Sequence, residues 1–160
     1  MDIRELRASD CEWTAAVLGE HFGSPRVVSR GRLHDAEQLP GFVARSDGQP
    51  AGLVVYRIDG AECEVVALVA ERPRRGIGRA LTEAVVARAR SEGCSRVWLV
   101  TTNDNVTAQC FYQALGWRLA GVHVGAVTES RVLKPEIPAL GMGGVPIEDE
   151  IEFDLTLVDA

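Results

Sequence analysis

The sequence predicts an α+β protein built on a central mixed, mostly antiparallel sheet that is flanked by helices. Two hairpin signals, Asp47-Gly48 and Asp59-Gly60, join three consecutive apolar segments and therefore predict an antiparallel meander. The last of these segments, residues 63–70, is rich in β-branched side chains and leads through a glycine turn into a helical pattern. A further apolar strand at residues 96–100 and a short helix complete the predicted sheet and its flanking layer.

The composition is that of a single globular domain, and residues 1–160 are expected to form it. A formal net charge of −6 argues against a nucleic-acid partner. No apolar run approaches the length of a membrane span, and the amino terminus shows no apolar signal core. The four cysteines lack C-x-x-C spacing, so they predict reduced thiols rather than a metal site or disulfides. These features favour a cytoplasmic protein without a metal or a membrane partner.

The amino-terminal third is predicted to contain two helical segments between strands. Ser9 or Asp10 can cap the first helix, and Gly23-Ser24-Pro25 ends it. The second helical segment is only weakly patterned. In chain order, the predictions are a strand at 3–7, helices at 11–21 and 29–38, and strands at 41–45 and 51–58.

The turn between residues 70 and 80 carries the first sign of a binding site. Two glycines, Gly76 and Gly78, lie in an arginine-rich stretch where a strand gives way to a helix. Free N–H groups and a positive dipole at a helix N-terminus attract anions, and glycine lets the backbone approach a ligand. The turn lacks the third glycine of a dinucleotide fingerprint and the Gly-Lys-Ser/Thr of a P-loop. A pyrophosphate is therefore one reading of this turn, and a plain surface turn is the other.

A second motif follows the strand at residues 96–100. Asn105 is a good N-cap for a short helix, and Gly116 is a good residue to end it. Small or apolar side chains share one face of this helix, because they fall at i, i+3, i+4 and i+7. They are Ala108, Phe111, Tyr112 and Leu115. Tyr112 thus places a hydroxyl on an otherwise apolar face.

Together the two motifs resemble the GNAT superfamily of acetyl-CoA-dependent N-acetyltransferases. The resemblance covers residues 62–124 and rests on an R-x-x-G-x-G-type turn followed by an Asn-x-x-Ala-x-x-Phe-Tyr-x-x-x-Gly-aromatic segment. In this chain the segment consists of Asn105, Ala108, Phe111, Tyr112, Gly116 and Trp117. Two motifs in register about thirty residues apart are more specific than either one alone. One departure is Pro73, which stands where the family usually has Arg or Gln.

The resemblance implies acetyl-CoA as the cosubstrate and assigns its binding residues. The backbone of Leu68, Val69 and Ala70 would pair with the pantetheine arm as an added strand. Asn105 would bond to the pantetheine beside the small Ala108. The pyrophosphate would lie on the turn formed by Arg74, Arg75, Gly76, Ile77, Gly78, Arg79 and Ala80. Tyr112 would protonate the departing sulfur, with a core aromatic residue as the alternative interpretation.

A general base would be a carboxylate that lies across from Tyr112. Glu62 and Glu64 share one face of their strand because they are two residues apart, and Glu64 lies nearer the buried end. Glu64 is therefore the candidate base. Its alternative interpretation is a solvent-facing strand residue, and a water chain could replace either carboxylate.

The tail contains an unusual loop at residues 134–146, with prolines, glycines and apolar side chains. Its Lys-Pro-Glu-Ile-Pro start is similar to a bacterial branch of the same superfamily that has no settled substrate. The loop is predicted to cover the acceptor side of the cleft, and an acidic run from Glu148 to Asp154 would draw in a cationic amine. The alternative is a surface loop that only closes the end of the sheet.

The predicted function is transfer of an acetyl group from acetyl-CoA to a primary amine by direct attack. The acceptor would be the amine of a small molecule, a peptide or a protein. The sequence leaves open whether the protein forms a homodimer. A catalytically inactive CoA-binding module, used as a sensor or partner domain, is the alternative. A nucleotide-binding α/β domain is a third class, which the antiparallel meander opposes.

Overall fold

The computed structural model describes residues 1–72 and 74–157, in which helices cover both faces of a seven-stranded sheet. The strands are β1 (Asp2–Glu5), β2 (Arg26–Ser29), β3 (Arg32–Asp35), β4 (Gly41–Ser46), β5 (Gln49–Asp59), β6 (Glu62–Ala70), β7 (Arg96–Thr102), β8 (Arg118–His123) and β9 (Glu150–Thr156). The helices are α1 (Cys11–Phe22), α2 (Ile77–Ser91), α3 (Val106–Ala114) and α4 (Ala126–Leu133). None of these helices is long and apolar enough to cross a membrane. The sequence also predicts a last strand at residues 147–158, and its final residue lies outside the described residues, as does Pro73.

The strand order in the sheet is β1-β4-β5-β6-β7-β9-β8. The β6–β7 pair is parallel, and the other described pairs of this sheet are antiparallel. The predicted α+β class with a mixed, mostly antiparallel sheet is therefore confirmed. Asp47 and Gly48 adopt φ angles of 53° and 75°, the positive values that a tight hairpin turn needs.

Two apolar clusters lie on opposite faces of the sheet, because successive strand residues point to opposite sides. Leu53 and Val55 of β5 belong to the cluster that α1 covers. Val54 and Tyr56 of the same strand belong to the cluster that α2 and α3 cover. The two helical layers therefore enclose the sheet on both faces.

The predicted helix at residues 29–38 is wrong. The segment forms part of a separate hairpin in which β2 and β3 pair antiparallel, followed by one helical turn at Ala36–Gln38. Arg30 and Gly31 form its turn with φ angles of 47° and 74°. Burial has period two here, since Val27, Ser29 and His34 point inward while their neighbours are more exposed. The β2–β3 hairpin therefore obeys strand periodicity, which the weak helical pattern concealed.

The parallel strands β6 and β7 separate soon after they begin. Glu62, Cys63 and Glu64 pair with residues 96–98 of β7. Beyond that point β6 continues to Ala70 beside β5, whereas β7 continues beside β9. A wedge-shaped gap thus opens between two strands in the middle of the sheet.

Candidate active site

The edge of β6 that faces the gap offers unpaired backbone groups. The N–H of Glu71, just after β6, donates to the carbonyl of Ala51 at 3.0 Å. Backbone groups alternate in direction along an antiparallel ladder, so those of Val69 also face β5. Those of Leu68 and Ala70 face the gap. A strand added in the gap would pair with these two residues, whereas Val69 is already paired within the sheet.

The N-terminus of α2 lies beyond the wide end of the gap. Gly76 is its N-cap residue with a φ of 74°, and no side chain among the described residues caps the helix. The first helical bond runs from the Ala80 N–H to the Gly76 carbonyl at 3.0 Å. The N–H groups of Ile77, Gly78 and Arg79 precede the first helical donor and have no intrahelical acceptor. Three such donors at one helix end are the arrangement that suits an anion, and the predicted pyrophosphate site at this turn stays a prediction.

The arginines of the turn surround this helix end. Arg74 and Arg75 are exposed, and Arg79 forms an ion pair with Glu83 at 2.9 Å. Gly78 has a packing role, because a Cβ atom there would lie 3.2 Å from the ring of Phe111. The close approach of α3 to α2 therefore depends on this glycine, whereas at Gly76 a Cβ atom would meet nothing within 4 Å.

Helix α3 begins at the gap as the sequence predicts. The Asn105 side-chain oxygen accepts the Ala108 N–H at 3.1 Å, which confirms the predicted N-cap. The Asn105 amide nitrogen has no hydrogen-bond partner within residues 1–72 and 74–157. It therefore remains available to a ligand in the gap.

Tyr112 lies about two helical turns after Asn105 on α3 and is 5% exposed. Its ring contacts Phe111, Trp117 and Phe153, with centroid distances of 4.9, 5.3 and 6.2 Å. Burial raises the pKa of Tyr112 above its ordinary value. Its hydroxyl makes no hydrogen bond in the part of the chain that the structure describes. Tyr112 is therefore a protonated and unengaged donor at neutral pH.

A cavity of about 520 Å³ borders the gap. Its lining includes Val65 and Val66 of β6, Val100 and Thr101 of β7, and Asn105. The other walls come from the end of α1, from β2, from α4, and from the segment that follows α4. The loop at residues 134–146 contributes Lys134, Glu136, Ile137 and Pro138 to this lining. Both strands of the gap and the unusual loop therefore share one space.

Lys134 joins the two sides of this cavity. It is 6% exposed, and its Nζ donates to the backbone carbonyl of Phe22 and, at 2.6 Å, to that of Arg26. Burial lowers the pKa of Lys134. The side chain thus connects the segment after α4 with the end of α1 and the start of β2.

The polar loop between β7 and α3 fixes the other end of the 134–146 loop. The Asn103 amide donates to the Pro146 carbonyl at 2.9 Å, and its oxygen accepts the Glu148 N–H at 2.9 Å. The Asp104 carboxylate accepts the Met142 N–H at 3.0 Å. The sequence predicted this stretch only as a polar loop, because its partners lie far along the chain.

Glu64 belongs to a buried cluster on the face that α1 covers. Glu64, Ser29 and His34 are 5%, 4% and 4% exposed. The Ser29 hydroxyl donates to Glu64, and it lies 2.8 Å from Nε2 of His34. Burial raises the pKa of Glu64 to about 7 and lowers that of His34 to about 4. Glu62, by contrast, is exposed and forms an ion pair with Arg96.

The acidic run near the carboxyl terminus is largely engaged within the protein. Glu152 and Asp154 both form ion pairs with Arg96. Glu150 lines the cavity, but it accepts the Arg30 N–H and forms an ion pair with the Arg30 guanidinium at 3.1 Å. Negative charge in the cavity lining therefore comes from Glu20, Glu136 and Glu150, and Arg30 offsets that of Glu150.

One group of exposed side chains collects near the cavity mouth. The carboxylates of Glu20 and Glu71 and the imidazole of His21 lie within 4.8 Å of one another. Exposed acidic groups commonly lie this close without a metal ion, so the proximity alone does not define a metal site.

Comparison with known proteins decides the family. Residues 3–117 match the Acetyltransferase (GNAT) family. The chain belongs to this family. This GNAT chain is 40% identical to Bacillus subtilis YdhI over 137 residues, 85% of its own length and 86% of that protein. It is 31% identical over 119 residues to the Danio rerio protein described as probable N-acetyltransferase 14, covering 71% of this chain and 42% of that protein.

Solved structures of other acetyltransferases share the GNAT fold. The IAA acetyltransferase of Bacillus cereus aligns over 98% of this chain and 99% of its own, with a TM-score of 0.71 and 18% identity. A Bacillus subtilis acetyltransferase in complex with CoA covers 98% and 97% of the chains, with a TM-score of 0.69 and 15% identity. The ribosomal-protein-alanine N-acetyltransferase of Brucella melitensis covers 98% and 100%, with a TM-score of 0.68 and 18% identity. The resemblance and the acyltransferase class predicted from the sequence are confirmed.

Proposed function

We propose that this GNAT protein transfers the acetyl group of acetyl-CoA to a primary amine by direct attack. The observation that carries the proposal is the gap between β6 and β7. Its wide end lies toward Ala70 and the uncapped N-terminus of α2, and its strands also line the cavity of about 520 Å³. Acetyl-CoA could therefore enter the gap from the side of the α2 N-terminus, and the amine could enter it from the cavity.

The donor arm is proposed to lie along β6. Its amide groups would pair with the backbone of Leu68 and Ala70, in the manner of an added strand. Its diphosphate would accept hydrogen bonds from the first N–H groups of α2, with Arg74 and Arg75 nearby to offset the negative charge. The free amide of Asn105 would donate to the arm near the thioester.

The chemical step requires a neutral amine, a stabilised oxyanion and a protonated leaving group. An N–H group on the gap edge of β6 would serve as the oxyanion donor. The Tyr112 hydroxyl would give its proton to the departing sulfur, since burial keeps the phenol protonated at neutral pH. Glu64 is the proposed base, and its pKa of about 7 suits proton uptake near neutral pH.

The acceptor is proposed to be a cationic amine with an apolar portion, carried by a small molecule or a peptide. Val27, Val127 and Ile147 give the cavity an apolar lining, while Glu20 and Glu136 bring negative charge. All four cysteines are free, which supports the further proposal that the enzyme works in the reducing cytoplasm.

An amine panel with purified protein tests the proposal. The panel would contain diamines, arylalkylamines, amino sugars and short peptides, with thiol release and product mass as readouts. Transfer to at least one class, together with CoA binding by calorimetry, is the expected result. CoA binding without transfer to any amine would instead favour the inactive CoA-binding module. Absence of CoA binding would contradict both readings.

A further inference from the structure

Glu64 lies behind Ser29, a residue that lines the cavity. Glu64 is not among the residues that line the cavity, whereas Ser29 is. The Ser29 hydroxyl donates to an oxygen of Glu64. An amine in the cavity would therefore reach the proposed base through Ser29, because no other hydrogen bond to this carboxylate forms among the described residues.

We propose that Ser29 passes the proton of the acceptor ammonium from the cavity to Glu64, while His34 holds the Ser29 hydroxyl in position. This inference rests on the proposed acetyl transfer and names the route by which the acceptor becomes a nucleophile. Ser29 is a catalytic residue in this scheme because it touches the amine. His34 is a positioning residue that acts through Ser29.

His34 orients the serine because a hydroxyl group carries only one proton. When Glu64 is ionised, that proton points to the carboxylate, so Nε2 of His34, 2.8 Å away, must be the donor to the Ser29 oxygen. Burial keeps His34 neutral at neutral pH, since it lowers its pKa to about 4. The β2–β3 hairpin brings the two residues together, because His34 pairs with Val27, two residues before Ser29.

The proton transfer balances without any other reactant. An ammonium N–H bond breaks as its proton binds the Ser29 oxygen, and the original Ser29 proton moves to Glu64. The amine keeps the electron pair and attacks the thioester carbon. The nitrogen loses its second proton after attack, which restores the proton that Tyr112 gives to sulfur. Glu64 returns its proton along the same route once the product leaves.

The charges around Glu64 suit a base that works near neutral pH. Arg32 on β3 and Arg57 on β5 favour its ionised form, whereas Glu150 on β9 opposes it. Arg30 holds Glu150 by an ion pair of 3.1 Å. Burial outweighs these charges and keeps the pKa of Glu64 near 7.

Substitution of Ser29 tests the relay with the best amine from the panel. Ser29→Ala should lower kcat/KM for the amine at pH 7 by about 10²-fold, the lower range for general base catalysis. The loss should shrink at high pH, where the amine is neutral without help, and the KM for acetyl-CoA should not change. His34→Ala should show the same pattern, and His34→Gln, which keeps a donor, should restore much of the rate.

Ser130→Ala is the matched control. Ser130 lines the same cavity and is 4% exposed, but its hydroxyl donates to the Ala126 carbonyl within α4. This variant should keep the wild-type shape of the pH–rate profile. If Ser29→Ala also keeps that shape while the wild type is active, the relay is wrong and acetyl transfer stands. If the wild type acetylates no amine, the proposed function and the relay both fail.

A titration in the free protein provides a second measurement that does not depend on turnover. The Ser29 hydrogen bond lowers the pKa of Glu64, so Ser29→Ala should raise that pKa further. Carbon-13 NMR of labelled glutamate carboxyl groups would follow the change, with Glu64→Gln identifying the signal. An unchanged pKa would contradict the contact on which the relay depends.

Discussion

The backbone N–H of Met142 donates a hydrogen bond of 3.0 Å to the carboxylate of Asp104, 38 residues earlier in the chain. The Thr102 hydroxyl donates to the other oxygen of the same carboxylate. Asp104 is buried, with 6% of its surface exposed. The loop that borders the cavity is therefore fixed to the stretch from which α3 starts. Gly141 permits this contact, because a Cβ atom there would lie 1.9 Å from Oδ2 of Asp104.

Gly141→Ala should displace the loop from Asp104. We expect a loss of about 1–3 kcal/mol in the free energy of unfolding, as for other overpacked sites. The KM for the amine should rise while CoA affinity is retained. Gly19→Ala is the matched control, because Gly19 lies inside α1 and the added atom has nothing within 4 Å. This variant should raise the free energy of unfolding by about 0.5–1 kcal/mol. Equal stability of the two variants in denaturant titrations would refute the loop contact.

Gly76→Val should abolish high-affinity CoA binding. Gly76 has a φ of 74° at the start of α2, where a side chain would strain the turn and obstruct the N–H groups. Gly93→Val is the control for strain alone, because Gly93 has a φ of 78° at the opposite end of α2. Both variants should lose stability, but calorimetry should show weaker CoA binding only for Gly76→Val. Gly78→Val is a poorer test, since its side chain would strike Phe111.

Tyr112→Phe should preserve the fold and CoA affinity but lower the maximal rate of acetyl transfer. General acid catalysis typically contributes about 10²–10⁴-fold, and the lost hydroxyl makes no hydrogen bond to the described residues. Tyr56→Phe is the control, because Tyr56 is also buried and its hydroxyl accepts a hydrogen bond from Arg88 of α2 at 3.4 Å. Wild-type turnover of Tyr112→Phe on a good acceptor would remove this residue from the mechanism.

Glu64→Gln should make the protein more stable at high pH. The pKa of Glu64 is about 7 in the fold against an ordinary value of 4.5, so the folded state holds a proton that the unfolded chain releases between these values. Stability is therefore lost as the pH rises from 4.5 to 7, by about 3 kcal/mol at 1.36 kcal/mol per pKa unit.

Urea titrations at pH 4 and pH 8 would measure this effect. At pH 4 the variant should match the wild type, because Glu64 is protonated in both states, and at pH 8 it should be the more stable protein. Glu62→Gln changes an exposed carboxyl group on the same strand and serves as the control. If the free energy of unfolding differs between wild type and Glu64→Gln by the same amount at both pH values, the raised pKa of Glu64 is contradicted.

The sequence predicted the elements whose signals are local. Asp47-Gly48 required positive φ angles, Asn105 capped α3, and Gly93 ended α2, all within a few residues of the motif that indicated them. The GNAT resemblance rested on the same local patterns, which is why the fold could be predicted from them.

The buried cluster around Glu64 was missed because its members are distant in the sequence. Ser29 and His34 meet because a hairpin replaces the expected helix, and Glu64 reaches them from a strand 35 residues after Ser29. No local pattern specifies these contacts, because they arise only when the sheet has brought separate segments together. The cap of α1 is a local case: Ser9 or Asp10 was expected there, and Asp10 does occupy the N-cap position. Its carboxylate makes no cap bond to the helix, since it accepts the Arg7 N–H and binds Arg4 at 2.8 Å.

The bonds from Lys134 to the carbonyls of Phe22 and Arg26 have a consequence for how the lining of the cavity, the proposed acceptor pocket, can change. Every residue has a backbone carbonyl, so side chains at positions 22 and 26 can be replaced without removing the acceptors that Lys134 uses. The backbone contacts that hold the pocket together therefore do not depend on which side chains line it. Under the proposed function, a library that varies the lining while keeping Lys134 would sample new acceptor amines on an unchanged scaffold.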